Sequence, residues 1–237
     1  MSRPAASPAA GPDWSRVRAD FPLLQRQVHG KPLVYLDSAN TAQKPQVVIE
    51  AVDSFYRRHN ANVSRAVHQL GSEATEAYEG ARSKLASFLK VRRDELVLCS
   101  GTTFAINLVA YSWALPRLKP GDAILLTRME HHANIVPWQL VAERTGARIR
   151  VAELTPAGEL DLDALWKAMT PEVKLLGLAQ VSNVLGTVNP VREVCREARK
   201  RGIVTVIDGS QAVPHRAVDI AALGCDFYAF TGHKMCG

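Results

Sequence analysis

The chain has 237 residues, of which 47% are hydrophobic and 22% charged, with a formal net charge of +6. That length holds one large domain or two small ones, and the balance is that of a folded globular chain rather than a disordered or fibrous one. The basic excess is scattered apart from Arg199, Lys200 and Arg201 before Gly202, a placement that complements a helix C-terminus; nucleic acid is therefore not indicated as a partner, and no apolar run reaches the roughly 18 residues of a membrane span.

The opening MSRPAASPAAGP lacks the apolar stretch of a signal peptide, and residues 1–13 are expected to be a disordered tail. Residues 14–93 read as an N-terminal helical segment. KPQVVIEAVDSFYRRH and SEATEAYEGARSKLASFL are amphipathic, and the second sets Ala74, Ala77, Tyr78, Ala81, Leu85, Phe88 and Leu89 on one stripe. HNANVSRAVHQLG lies between them, polar and irregular.

From residue 94 onward strands and helices alternate. ELVLCS is predicted as a strand, FAINLVAYSW as a helix, and Pro120-Gly121 as a turn. AILLTRM follows as a strand, then VPWQLVAERTG as a helix stopped by Gly146, and RIRVAEL as a half-buried strand. DALWKAM is a short helix with Asp163 as its cap. KLLGLAQVSN is a strand, PVREVCREARKRG a helix with proline in its first turn, IVTVIDG a strand, DIAALG a short helix and CDFYAFTG a strand. Continuous apolar strands separated by helices predict an α/β fold, a mostly parallel sheet with helices on both faces. Ligands bind such sheets outside the carboxyl ends of the strands. The four cysteines, at 99, 195, 225 and 236, form no CxxC pair, which fits a reducing, cytoplasmic setting.

The polar residues of interest cluster at those strand ends. Asp208 closes one strand and Lys234 follows the next. A lysine amine can bond an aldehyde cofactor while a carboxylate keeps the ring nitrogen protonated, which is what pyridoxal 5'-phosphate requires. Thr102 and Thr103, in SGTTFAIN, open a helix after a strand, where free N–H groups and hydroxyls suit a phosphate; alone, Thr102 would equally read as a helix cap. Gln211 is either a donor to the cofactor or a solvated turn amide. The adjacent histidines of MEHHAN point to opposite sides of an extended segment, so they do not form a metal pair, and His131 or His132 could lie flat on an aromatic ring. Among the lysines beside turns and strand ends, Lys44, Lys31, Lys119 and Lys174 lack the flanking Thr231 and His233 that Lys234 has.

Taken together, VRADFPLL, YLDSANTAQKP, SGTTFAINLVAYSW, MEHHANIVPWQ, VSNVLGT, IDGSQAVPH and GCDFYAFTGHKMCG resemble the class V aminotransferase group of fold-type I pyridoxal-phosphate enzymes, and within it the group II (SufS-like) cysteine desulfurases. The resemblance implies that Lys234 bonds the cofactor and Asp208 pairs with its ring nitrogen. It further implies that His131 stacks on the ring and assists proton transfer, Gln211 contacts the phenolic oxygen, Thr103, Thr231 and His233 bind phosphate, and Asn183 and Arg65 face the substrate. It implies L-cysteine as substrate, with L-selenocysteine or another class V activity as alternatives. A sulfur-acceptor protein of iron–sulfur assembly is the implied partner, and a homodimer the implied state of the full-length protein. Ser64 and Ala66 stand where the family commonly has histidine and glycine, and Asn40 where it has alanine. Residues 94–237 would form part of the cofactor-binding large domain. The C-terminal small domain and the persulfide cysteine are expected beyond Gly237, which leaves a non-catalytic fragment that retains the cofactor pocket as a further reading.

Overall fold

The structure, a computed structural model, describes residues 11–65 and 67–237. The expected tail lies outside the described residues up to residue 10, as does Ala66.

A short helix α1 (Trp14–Ala19), capped by Asp13, leads to a two-stranded antiparallel ribbon, β1 (Gln27–Val28) with β2 (Lys31–Pro32). Helix α2 (Gln46–Ser54) runs on as a π-helical stretch over Phe55–His59, and α3 spans Gln69–Leu89. The predicted apolar stripe of α3 is covered only in part. Ala74 and Leu89 are buried, together with Ala86 from outside the stripe, whereas Phe88 is 53% exposed. The C-terminal end of α3 packs against Leu96, Ala212, Val213 and Val218, and this contact ties the helical segment to the rest of the chain.

The main sheet has five strands in the order β4-β3-β5-β6-β7, all parallel. They are β3 (Ala123–Thr127), β4 (Arg148–Ala152), β5 (Val173–Ala179), β6 (Val204–Asp208) and β7 (Phe227–Ala229). Successive residues of a strand feed opposite layers. Leu125, Leu176, Leu178 and Ile207 pack under α6 (Leu162–Ala168) and α7 (Val191–Lys200). Ile124, Leu126, Leu175 and Val206 pack under α4 (Thr102–Val109) and α5 (Val136–Thr145). With both faces covered, every position of β3 is buried, which is why this strand reads as a continuous apolar run. The fold is thus the α/β architecture expected, with helices on both faces. A last short helix, α8 (Ile220–Leu223), precedes β7.

Three local expectations need correction. ELVLCS is not a strand: Arg93–Glu95 is a 3₁₀ turn, and Leu96–Cys99 is extended but pairs with no strand among the described residues. Its apolar residues satisfy the period-2 pattern, yet a strand also needs an edge to bond. The cap of α6 is Asp161, whose carboxylate accepts the Ala164 N–H at 2.9 Å, so the helix begins earlier than Asp163 suggests. Pro190 occupies the cap position of α7 rather than its first turn.

Candidate active site

The carboxyl ends of β5, β6 and β7 open onto one cavity of about 270 Å³. Its walls include Thr102, Thr103, His131, Asn183, Asp208, Gln211, Thr231, His233 and Lys234, so nine of the ten candidate residues meet in one place. Arg65 does not line it; that residue is exposed, in a left-handed backbone conformation with φ 59°.

Asp208 and Lys234 converge because β6 and β7 are neighbours, with Asp208 in register with Ala229. Asp208 is 5% exposed, and its Oδ1 accepts the Ser210 N–H at 2.9 Å. Its Oδ2 accepts no hydrogen bond among the described residues, which leaves one carboxylate oxygen for a donor in the cavity. Gly209 is required where it stands: a Cβ there would lie 2.1 Å from the hydroxyl of Tyr228, which donates to Gln180 Oε1 at 2.5 Å. Burial raises the Tyr228 phenol well above its ordinary pKa, so it remains a donor.

Lys234 ends the 3₁₀ turn Gly232–Lys234 and is half-buried. That turn is held from the N-terminal segment. The His233 carbonyl accepts from the Ala42 N–H (2.9 Å), the Thr41 hydroxyl (3.1 Å) and Lys44 Nζ (3.0 Å). Lys44 also donates to Ala42 O, and Lys174 donates to Pro171 O; both ammonium groups are engaged with backbone carbonyls, and neither lines the cavity. Burial, and then the charges of Lys234 and Lys44, hold the His233 imidazole below its ordinary pKa, which favours its neutral form.

On the opposite wall, α4 begins at Gly101, where φ is 118° and no side chain caps the helix. A Cβ at Gly101 would sit 3.2 Å from Thr231 Oγ1, so glycine lets the helix start press against the β7 loop. The first N–H groups of a helix have no intrahelical partners, and with Thr103 and Thr231 they form a cradle suited to a phosphate. The Thr102 hydroxyl is already committed to Ser210 Oγ at 2.7 Å; it ties α4 to the β6 turn instead of capping the helix. Gln211 donates one N–H to Ala39 O at 2.7 Å and keeps its second amide hydrogen. His131 caps a turn over His132–Asn134: its Nδ1 accepts the Ala133 N–H at 3.1 Å, so a neutral ring carries its proton on Nε2. The two imidazoles stand edge to face, 84° apart, and only His131 lines the cavity.

The donor set therefore fits a flat, phosphorylated, aldehyde-bearing ring: one amine, one free carboxylate oxygen, one exposed imidazole face and one anion cradle. Among the described residues no cluster of three metal-ligating side chains exists, and no helix is long and apolar enough to cross a membrane. Sequence reasoning missed Ser210, which joins Thr102 to Asp208; its only signal was its place between two candidates in DGSQ. It also missed Glu130, a carboxyl sealed beside the cavity, whose signal was an acidic residue within an otherwise buried stretch.

Comparison with known proteins gives the chain a family. Residues 34–237 match the family described as aminotransferase class-V. A "Probable cysteine desulfurase" of Xylella fastidiosa (strain Temecula1 / ATCC 700964) is 72% identical over 233 residues, covering 98% of this chain and 56% of that protein. The structure of the cysteine desulfurase CsdA (S-sulfonic acid) from Escherichia coli superposes with a TM-score of 0.85 at 40% identity, over 96% of this chain and 56% of that one. The apo cysteine desulfurase from Thermococcus onnurineus NA1 gives 0.88 at 35% identity, over 96% and 55%. The chain thus spans little more than half the length of the relatives it matches.

Proposed function

We propose, from the premise that the chain belongs to the class V aminotransferase family, that the whole protein is a pyridoxal-phosphate-dependent cysteine desulfurase of the group II (SufS-like) kind. The observation that carries this reading is the single cavity shared by Lys234, Asp208 and His131 at the carboxyl edge of the sheet. Pyridoxal phosphate, when bound, supplies an aldehyde and a protonated ring that draws negative charge from the α-carbon of an amino acid. Lys234 would bond the aldehyde, and its free amine is the group that would move the substrate's α-proton. Asp208 keeps the ring nitrogen protonated through its free oxygen. Thr103, Thr231, His233 and the N–H groups of α4 would hold the phosphate; Gln211 would donate to the phenolic oxygen; His131 would face the ring; Asn183 would orient the substrate.

In the net reaction L-cysteine and an enzyme thiol give L-alanine and an enzyme persulfide. The substrate's Cβ–S bond breaks, a sulfur–sulfur bond forms, and the carbon takes the electron pair and a proton. Two of the four cysteines are ill-suited as the acceptor. Cys195 is buried and Cys225 half-buried, neither lines the cavity, and burial pushes their thiols up to about 11 and about 12. Cys236 lies in the turn after Lys234, and we assign it no sulfur-carrying role; the acceptor thiol belongs to the remainder of the full-length protein. Four free cysteines favour a reducing, cytoplasmic setting. The working state is a homodimer that passes sulfur to an acceptor protein of iron–sulfur assembly.

The test is incubation of the full-length protein with pyridoxal phosphate, L-cysteine and a thiol reductant. Alanine and sulfide should appear in equal amounts, with L-selenocysteine as a parallel arm. Cofactor uptake without alanine would point to another class V reaction, and absence of uptake would refute the cofactor assignment.

A further inference from the structure

We propose that Glu130 is a positioning residue: a sealed carboxyl that latches the 131–134 turn onto the end of β5 and so fixes the ring of His131 in the cavity. This rests on the reading of the cavity as a pyridoxal-phosphate site.

The argument begins with hydrogen-bond direction. Trp138 Nε1 can only donate, and it donates to Asn134 Oδ1 at 2.9 Å. That contact turns Asn134 Nδ2 toward Glu130 Oε2, at 2.7 Å. The Ala179 N–H, also only a donor, reaches Oε1 at 3.1 Å, and the Thr127 hydroxyl reaches the same oxygen at 2.5 Å. Two neighbours of fixed direction therefore require an acceptor at each oxygen. A carboxyl meets both demands, ionised or protonated toward Thr127, whereas a glutamine would set an NH₂ against one of the donors. Glu130 is 8% exposed, and Asn134 and Trp138 are fully buried, so water cannot repair a mismatch. Room for the latch comes from Gly177 on β5, where a Cβ would lie 2.8 Å from Leu126 Cδ2 and 3.1 Å from Asn134 Oδ1.

The latch has two outputs at the cavity. Ala179, bonded by Glu130, lines it and pairs with Asp208 across β5 and β6. His131 follows Glu130 directly. Its exposed ring takes one hydrogen bond among the described residues, from the Ala133 N–H, and its carbonyl accepts the Asn134 N–H at 2.7 Å. The hydrogen bond that aims the imidazole comes from the backbone of the turn that Glu130 and Asn134 anchor, and its edge-to-face neighbour, His132, belongs to the same turn. No other hydrogen bond among the described residues holds the ring, so the latch sets where it lies.

The test is a double-mutant cycle in the full-length protein, read as the equilibrium affinity for pyridoxal phosphate and as the visible spectrum of the bound cofactor. Glu130→Gln should weaken binding about tenfold and shift the band, whereas in a His131→Ala background the same change should weaken it less than about twofold, because coupled residues are not additive. Equal losses with and without His131, or no loss at all from Glu130→Gln, would overturn the proposal, since a merely structural carboxyl would act regardless of the imidazole. Should Glu130→Gln fail to fold, Thr127→Val carries the same cycle with a loss of about threefold, the cost of one donor. A wild-type protein that takes up no pyridoxal phosphate would instead refute the cofactor reading itself, before any variant is compared.

Discussion

Gly209→Ala tests the geometry of the site with one methyl group. Gly209 follows Asp208 at the end of β6 and donates its N–H to Ala229 O at 2.7 Å, so its backbone cannot retreat without unzipping the β6–β7 pair. The added Cβ would lie 2.1 Å from the Tyr228 hydroxyl, 2.2 Å from Cζ and 2.3 Å from Cε1. Ordinary carbon contacts begin near 3.4 Å, so the ring must shift by about 1 Å or more. Tyr228 packs against two apolar clusters, and its hydroxyl is held by Gln180, so the shift both strains packing and breaks a buried hydrogen bond. Overpacking costs about 1–3 kcal/mol and the lost bond about 1 kcal/mol, together about 2–4 kcal/mol. For a chain of this size that lowers the melting temperature by roughly 5–15 °C. Thermal melts followed by circular dichroism would read it. The double variant Gly209→Ala/Tyr228→Phe should not recover, because the ring carbons remain in the way, whereas Gly209→Ala/Tyr228→Ala should relieve the clash while keeping the cost of the lost ring. A Gly209→Ala variant within about 0.5 kcal/mol of the parent, the range of neutral surface changes, would refute the contact.

Lys234→Ala should leave no pyridoxal phosphate covalently fixed after borohydride reduction, while Lys44→Ala should still fix it; mass spectrometry of the reduced chains decides, and retention of the label in Lys234→Ala would mean the wrong lysine has been chosen. Burial raises the Glu130 carboxyl to about 7, against 4.5 for an ordinary glutamate. The folded state therefore holds a proton that the unfolded state releases, and Glu130's contribution to stability is present below about pH 4.5 and lost as pH rises through about 7, a change of up to about 3 kcal/mol. Urea midpoints between pH 4.5 and 7.5 should show that decline in the parent and not in Glu130→Gln; parallel curves would contradict it. Helix α2 exposes Val47 (68%) and Val52 (54%), the π-helical stretch after it exposes Tyr56 (67%), and Leu36 before it is 92% exposed. The 237-residue chain alone should accordingly bind a hydrophobic dye and associate as its concentration rises, unlike the full-length protein; equal dye binding by both would count against a covering partner for this face.

What the sequence disclosed and what it withheld follow one physical division. Asp208 and Lys234 were legible because parallel strands bring their carboxyl ends together whatever lies between them. Apolar continuity reports burial on two faces, and so the sheet of β3, β5 and β6 could be read residue by residue. Leu96–Cys99 shows the opposite case: the pattern of a strand is a property of the segment, but strandhood belongs to a pair, and no pattern within the segment names its partner. The apolar stripe of α3 failed in the same way, since Phe88 has the right spacing for burial and lies exposed. Glu130 marks a third limit. A carboxylate three residues past a strand does not by itself say whether it faces water or three donors, because that depends on Ala179, 49 positions away in the chain. Partners so distant in sequence are the ones that decide a buried charge, so a sequence more readily reveals the groups that touch a ligand than the groups that aim them. Hence nine of the ten residues first singled out line the cavity, and the one that orients His131 appears only when β3 and β5 lie side by side.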